Sequence, residues 1–213
     1  MKRAGHGGAL IFTSRESAKD LKVKYAIAYS KLETVLLEHV AAEIREEIAS
    51  DRIHEEFLGP LKDEIPTDLH LDETVAFADK EDCIKAELGC VNFIASLTRV
   101  DGCVLLSPGL TVRGFGVEIT CRKDPPMVLV AGDERASNRR LRTLDFSHFG
   151  TRHRSMMRYC YANSGSVGFV VSQDGDVRAI MRLGKRLVLW ENVRLQDVQV
   201  VKQEAARRKT TTR

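Results

Sequence analysis

The stretch HFGTRHRSMMRYC, residues 148–160, puts three basic side chains, Arg152, His153 and Arg154, into what reads as the first turn of a helix. Cations are disfavoured there, because the macrodipole is already positive and the first N–H groups lack partners. The chemistry that reverses this penalty is anion binding. Thr151 is expected to cap the helix with its hydroxyl, and Gly150 to let the chain bend tightly before it. Free N–H groups, the dipole and two guanidinium forks then converge on one anion, which is what a phosphate requires. The competing reading is that the arginines pair with carboxylates of the chain itself or stand in solvent.

Two further stretches bear on the same question. VDGCVLL places Asp101 and Gly102 at the mouth of a buried strand. A carboxylate there can bind a divalent cation or accept a proton, and Gly102 allows close approach to the backbone. VVSQDG places Ser172 and Gln173 at the end of another strand. In open α/β sheets, ligands lie at such strand ends and helix starts.

The elements that must position these residues follow from periodicity. Ala9 to Phe12 reads as a short apolar strand. Leu32, Val35, Leu36, Val40, Ile44 and Ile48 recur at helical spacing. Residues 51–76, with Gly59-Pro60 and Pro66, read as a linker or crossover. A second helix is expected over 77–97. Strands are expected at CVLLS, at LTVRGFGVEITC with its period-two alternation, and at PPMVLVA. Residues 132–147 read as a long mobile loop. The helix from Thr151 ends near Asn163-Ser164-Gly165. A hairpin turning at Asp174-Gly175 follows, then short strands at RLVLW and DVQVV and a frayed basic tail. The expected fold is therefore α/β, with α+β admissible: a mixed central sheet flanked by helices. The expected division is an N-terminal strand, helix and crossover over 1–76, a nucleotide-binding domain over 77–203, and a tail over 204–213.

Composition narrows the partners. The chain has 213 residues, 43% hydrophobic and 30% charged, with a formal net charge of only +3. That argues against a global field for nucleic acid. Charge is uneven, with acid concentrated between Glu33 and Glu87 and base after Arg113. Five cysteines with no CxxC pair and no secretory leader favour reduced thiols in a cytoplasmic setting. No apolar run approaches the length of a membrane span.

Taken in order, DGC, GTRHRS and VVSQ resemble the diadenylate cyclase (DAC) domain, over residues 77–182. With GHGGALIF and GFGVEI, the likeness extends to a branch of DAC-like domains described as nucleotide sensors. The resemblance implies the DAC-type fold, ATP as ligand with Mg²⁺ or Mn²⁺, and two domains meeting face to face to join two ATP into cyclic di-AMP with release of pyrophosphate. By position, it makes Asp101 the catalytic, metal-associated aspartate and puts Gly102 and Cys103 near ribose and adenine. It gives Gly150, Thr151, Arg152, His153 and Arg154 to the phosphates, with Arg154 also catalytic, and Ser172 to a further nucleotide contact. Cys103 stands where the family has alanine, Met156 and Met157 where it has small residues, and Gln173 where many members have glutamate. The sensor alternative is an inactive domain that binds ATP or a cyclic nucleotide and signals to a partner protein.

Overall fold

The computed structural model describes residues 7–13, 20–58, 65–172 and 175–193. The expected strand at DVQVV, the basic tail, Gln173 and Asp174 lie outside the described residues.

Ten strands build one mixed sheet. They are β1 (Gly8–Phe12), β2 (Leu21–Lys22), β3 (Tyr25–Tyr29), β4 (Cys103–Leu106), β5 (Val112–Ile119), β6 (Val128–Ala131), β7 (Leu141–Leu144), β8 (Val167–Val171), β9 (Val177–Leu183) and β10 (Arg186–Trp190). The order across the sheet is β2-β5-β4-β1-β8-β9-β10-β6-β7, with β3 also pairing β5. The β1–β4 and β10–β6 pairs are parallel, and the remaining pairs antiparallel. Three α-helices complete the fold: α1 (Lys31–Ile53), α2 (Thr67–Leu97) and α3 (Thr151–Ala162). The architecture is thus mixed α/β.

Period-two alternation assigns each strand two faces. Ala9 and Ile11 of β1 join Cys103, Val117, Val170 and Ile180 under α3. Leu10 and Phe12 point the other way, to a second core in which Ile94, Leu97 and Leu32 cover Val104, Leu106 and Val112. The sheet is therefore covered on one face by α3 and on the other by the base of an antiparallel hairpin of α1 and α2. The hairpin register is marked by a Lys80 Nζ–Glu46 Oε2 ion pair at 3.1 Å and by a short His39–Glu87 contact.

Several expectations are corrected. α2 begins at Thr67, so the boundary expected at 76/77 falls inside a helix; Pro66, at φ −56° and ψ 140°, is its extended capping residue. Residues 51–76 are helical to Ile53 and continue as a π-helical turn over His54–Leu58. The stretch 132–147 contains β7, which closes the sheet edge against β6. β2 and β3 were not legible in the sequence; they are short and depend on pairing with β5.

Candidate functional site

Asp101 and Gly102 lie just before β4, at the end of the sheet where β1 and β9 begin and β8 finishes. Gly102 has φ 113°, and a Cβ there would sit 2.7 Å from the Gly116 carbonyl carbon and 2.8 Å from the Val117 nitrogen. The glycine is thus required by the neighbouring strand β5, a reason independent of any ligand. Its consequence is a chain bend that leaves Asp101 exposed beside the strand mouth.

α3 approaches the same end because its last turn feeds directly into β8. Met156 and Cys160 both lie over Gly168 of β8, where an added Cβ would fall 2.3 Å from the Met156 sulfur and 3.1 Å from the Cys160 sulfur. The helix therefore sits close on the sheet. Met156 and Met157 are both fully buried; Met157 goes into the core, whereas Met156 also forms part of the wall below the helix start.

The helix start departs from expectation in one respect. Gly150, at φ −64° and ψ 164°, is the capping residue; Thr151 is the first helical residue, and no side chain caps the turn. Gly150 adopts a conformation open to any residue, and its carbonyl accepts from Arg154 N–H at 3.1 Å. The lack of a side-chain acceptor leaves first-turn N–H groups to another partner.

These elements enclose an open cavity of about 550 Å³. Asp101, Gly102, Cys103, Thr151 and Arg152 all line it, so the DGC segment and the start of α3 share one space; Gly150 is not among the lining residues. Ala9, Val117, Ile119 and Met156 add apolar wall. Lys24, Glu118 and Ser155 also face it. No sequence signal distinguished these three: Glu118 reads as a strand-surface carboxylate, and Lys24 lies in the link between β2, only two residues long, and β3, which was not read as a strand.

Cys103 is a wall residue. Its thiol is buried, donates to the Val117 carbonyl at 3.2 Å, and is pushed up to about 12 by burial. A neutral thiol at that value is no nucleophile at pH 7.

His153, Arg154 and Ser172 do not line the cavity. They form a half-buried flank beside it. His153 Nε2 lies 3.1 Å from Arg178 Nη1, and its ring is 5.5 Å from that of Phe149. Burial first, then Arg178 and Arg152, hold its pKa down at about 4. The ring is therefore neutral at pH 7, and because arginine only donates, Nε2 accepts and Nδ1 carries the proton. Of the three basic residues in the first turn, two are cations. Arg154 Nε, Ser172 Oγ and Arg178 Nε are buried without a hydrogen-bond partner among the described residues. Such atoms cost about 1–3 kcal/mol each unless satisfied. Arg178 is the residue that sequence reasoning missed here; it sits in β9 opposite Val170.

The donor set bears on a metal. Among the described residues no group of three His, Cys, Asp or Glu side chains comes together. Asp101 and Glu118 nevertheless open to one cavity. Mg²⁺ is usually held by one or two carboxylates together with substrate phosphates. The residues fit a cation that arrives with a nucleotide and do not fit an all-protein metal cage.

No family model, curated protein or solved structure matches the chain. Among the described residues, no helix is long and apolar enough to cross a membrane.

Proposed function

We propose that the chain is an adenine-nucleotide-binding domain of the DAC type, which condenses two ATP into cyclic di-AMP and releases pyrophosphate. The observation that carries this reading is the convergence of Asp101, Gly102, Thr151 and Arg152 on one cavity at an uncapped helix N-terminus. The cavity volume is within the range of small-molecule sites. Backbone donors of α3 and the Arg152 guanidinium hold phosphate oxygens, and Lys24, which lines the same cavity, adds positive charge. The apolar patch of Ala9, Val117 and Met156 takes the base. Asp101 and Glu118 would hold Mg²⁺ or Mn²⁺, which, when bound, neutralises phosphate charge and acidifies the attacking hydroxyl. On this reading Asp101, exposed at the cavity mouth, orients the 3′-hydroxyl and accepts its proton.

Two equivalent linkages require two facing sites, so turnover needs a second copy of the chain. Cyclic di-AMP formation therefore rises faster than linearly with protein concentration. The test is purified protein with ATP and Mg²⁺ or Mn²⁺, followed by product chromatography. Asp101→Asn abolishes product and keeps most ATP affinity. Wild-type protein that binds ATP yet forms no cyclic di-AMP at any concentration with either metal refutes the cyclase.

One observation favours the second reading, a sensor without turnover that signals to a partner protein. Arg154, assigned a catalytic part by resemblance, lies beside the cavity rather than on its wall. Its neighbour His153 is engaged by Arg178. Under that reading ATP or a cyclic nucleotide binds and leaves unchanged.

A further inference from the structure

Strand register carries the edge of the cavity across the sheet. Ala9 of β1 lines the cavity and is paired with Val170 of β8, which is paired in turn with Arg178 of β9. Paired residues point to the same face, and Ala9 and Val170 both lie under α3. Arg178 therefore rises on the α3 face, two strands from the cavity wall, about 10 Å at the usual strand spacing. Its guanidinium reaches back to the helix start. Nη1 donates to His153 Nε2 at 3.1 Å, and the group lies 5.9 Å from the centre of the Phe149 ring. Arg152 and His153 are neighbours in the first turn of α3, so that turn has the cavity on one side and Arg178 on the other.

The Arg178 side holds polar atoms that the chain itself does not satisfy. Arg178 Nε, Arg154 Nε and Ser172 Oγ are out of solvent and have no hydrogen-bond partner among the described residues. Ser172 is two residues on from Val170, and its N–H donates to the Asp176 carbonyl at 2.9 Å, so Ser172 and Arg178 are diagonal neighbours on one face. Among the described residues, no ion pair includes Arg152, Arg154 or Arg178, although Asp176 shares the face of Arg178. The neutral ring of His153 accepts from Arg178 and fixes the guanidinium without neutralising it. A cation withdrawn from solvent is costly until a counter-charge meets it. Arg154 and Arg178 both keep part of their surface in solvent, so a small anion has access to them.

From this we infer that Arg178 binds the distal phosphates of a polyphosphate chain that lies across the N-terminus of α3, with its near end at Arg152 in the cavity and its far end at Arg178 and Ser172. The inference rests on the nucleotide reading for the base and adds a choice of ligand at the same site. A monophosphate in the cavity meets Arg152 and the first-turn N–H groups alone. Each further phosphate carries charge toward Arg178, whose fork suits two phosphate oxygens at once. Arg178 thereby selects a nucleoside triphosphate over a monophosphate. It also disfavours a cyclic dinucleotide, whose phosphodiesters carry one charge each and have no terminal phosphate to extend. The selection holds for a cyclase and for a sensor alike.

A purely structural Arg178 makes a different prediction. Its contacts with Phe149 and His153 would then serve only to hold the first turn of α3, and every ligand of the cavity would feel their loss alike. Methionine keeps an unbranched stem beside Phe149 and removes the charge. Lysine keeps the charge and removes the fork. The two substitutions separate packing, charge and fork at one position.

The experiment is calorimetry of the full chain with ATP, AMP and inorganic tripolyphosphate, on wild type, Arg178→Met and Arg178→Lys, with far-UV circular dichroism to confirm folding. Wild type is expected to bind tripolyphosphate in competition with ATP. In Arg178→Met the ratio of ATP to AMP affinity falls about ten-fold or more, and tripolyphosphate weakens by a similar factor. Arg178→Lys shows a smaller fall in the same ratio, and it carries the test if the methionine variant does not fold. A ratio unchanged within about two-fold in both variants overturns the inference and leaves the nucleotide reading standing. So does an equal loss for ATP and AMP, the mark of a structural role. Tripolyphosphate binding that depends on Arg178, in a protein that binds neither nucleotide, supports the anion site and removes the nucleotide reading. A wild type that binds none of the three ligands overturns both.

Discussion

Gly168→Ala links the core to the cavity. The new Cβ would meet the Met156 sulfur at 2.3 Å and its Cγ at 2.4 Å. Carbon contacts are optimal at about 3.5–4.0 Å, so Met156 must move by more than an ångström. Its backbone is fixed in α3 and its side chain is fully buried, but it also lines the cavity, which is the open direction. The thioether is therefore pushed toward the nucleotide. Overpacking of this kind costs about 1–3 kcal/mol. Met156→Ala alone leaves a hole and costs about 2–5 kcal/mol. In the double variant the new methyl occupies part of that hole. The two costs then fall short of additive by at least about 1 kcal/mol. Urea unfolding at constant m-value measures this, and in a chain of this size each kcal/mol also lowers Tm by about 2–4 °C. ATP affinity falls in Gly168→Ala and recovers in the double variant. Additivity within about 0.5 kcal/mol would refute the contact, and unchanged ATP affinity in Gly168→Ala would refute the cavity's role.

Arg152→Ala weakens ATP binding about ten-fold or more by calorimetry, since losing one charge-assisted contact costs about 1.5–3 kcal/mol; equal affinity removes Arg152 from the phosphate site. His153 gives a pH signature. Its folded pKa, about 4, is below the ordinary 6.5, so the unfolded chain takes up a proton that the folded one refuses. Stability from this group is full above pH 6.5 and is lost as pH falls toward 4. The loss is roughly 1–2 kcal/mol once solvent screening of a half-buried ring is allowed for. His153→Gln removes that part of the slope in urea unfolding between pH 7 and 4.5; a variant with the wild-type slope contradicts the burial of the neutral ring. Cys103→Ala keeps nucleotide binding, and folded wild-type protein resists alkylation at Cys103 at pH 7; rapid modification there contradicts a thiol held at about 12.

The sequence by itself determined the local terms. Short apolar runs wrote β1 and β4, alternation wrote β5, the 3.6-residue period wrote α1 and most of α2, and start and cap signals bounded α3. The order DGC then GTRHR named two segments suited to one anionic ligand. Cation crowding at a helix start is a local electrostatic fact and needs no fold to be seen. Tertiary structure decided which of those residues share a space. Arg152 and Thr151 reached the cavity, while His153 and Arg154 turned to its flank, because a helix spreads consecutive side chains around its axis and only packing fixes which sector faces the ligand. Packing also decided that Met156 and Met157 point inward, over a strand made low by Gly168. Gly102 proved to answer to β5, fourteen residues along the chain, a contact that pairing creates. Lys24, Glu118 and Arg178 were silent in the sequence because each is an ordinary charged residue until the sheet brings it to the site. α1 shows the same division. Periodicity revealed one apolar row, and only the position of α2 decided that Val35 is buried while Val40, Ile44 and Ile48 of the same row stay exposed.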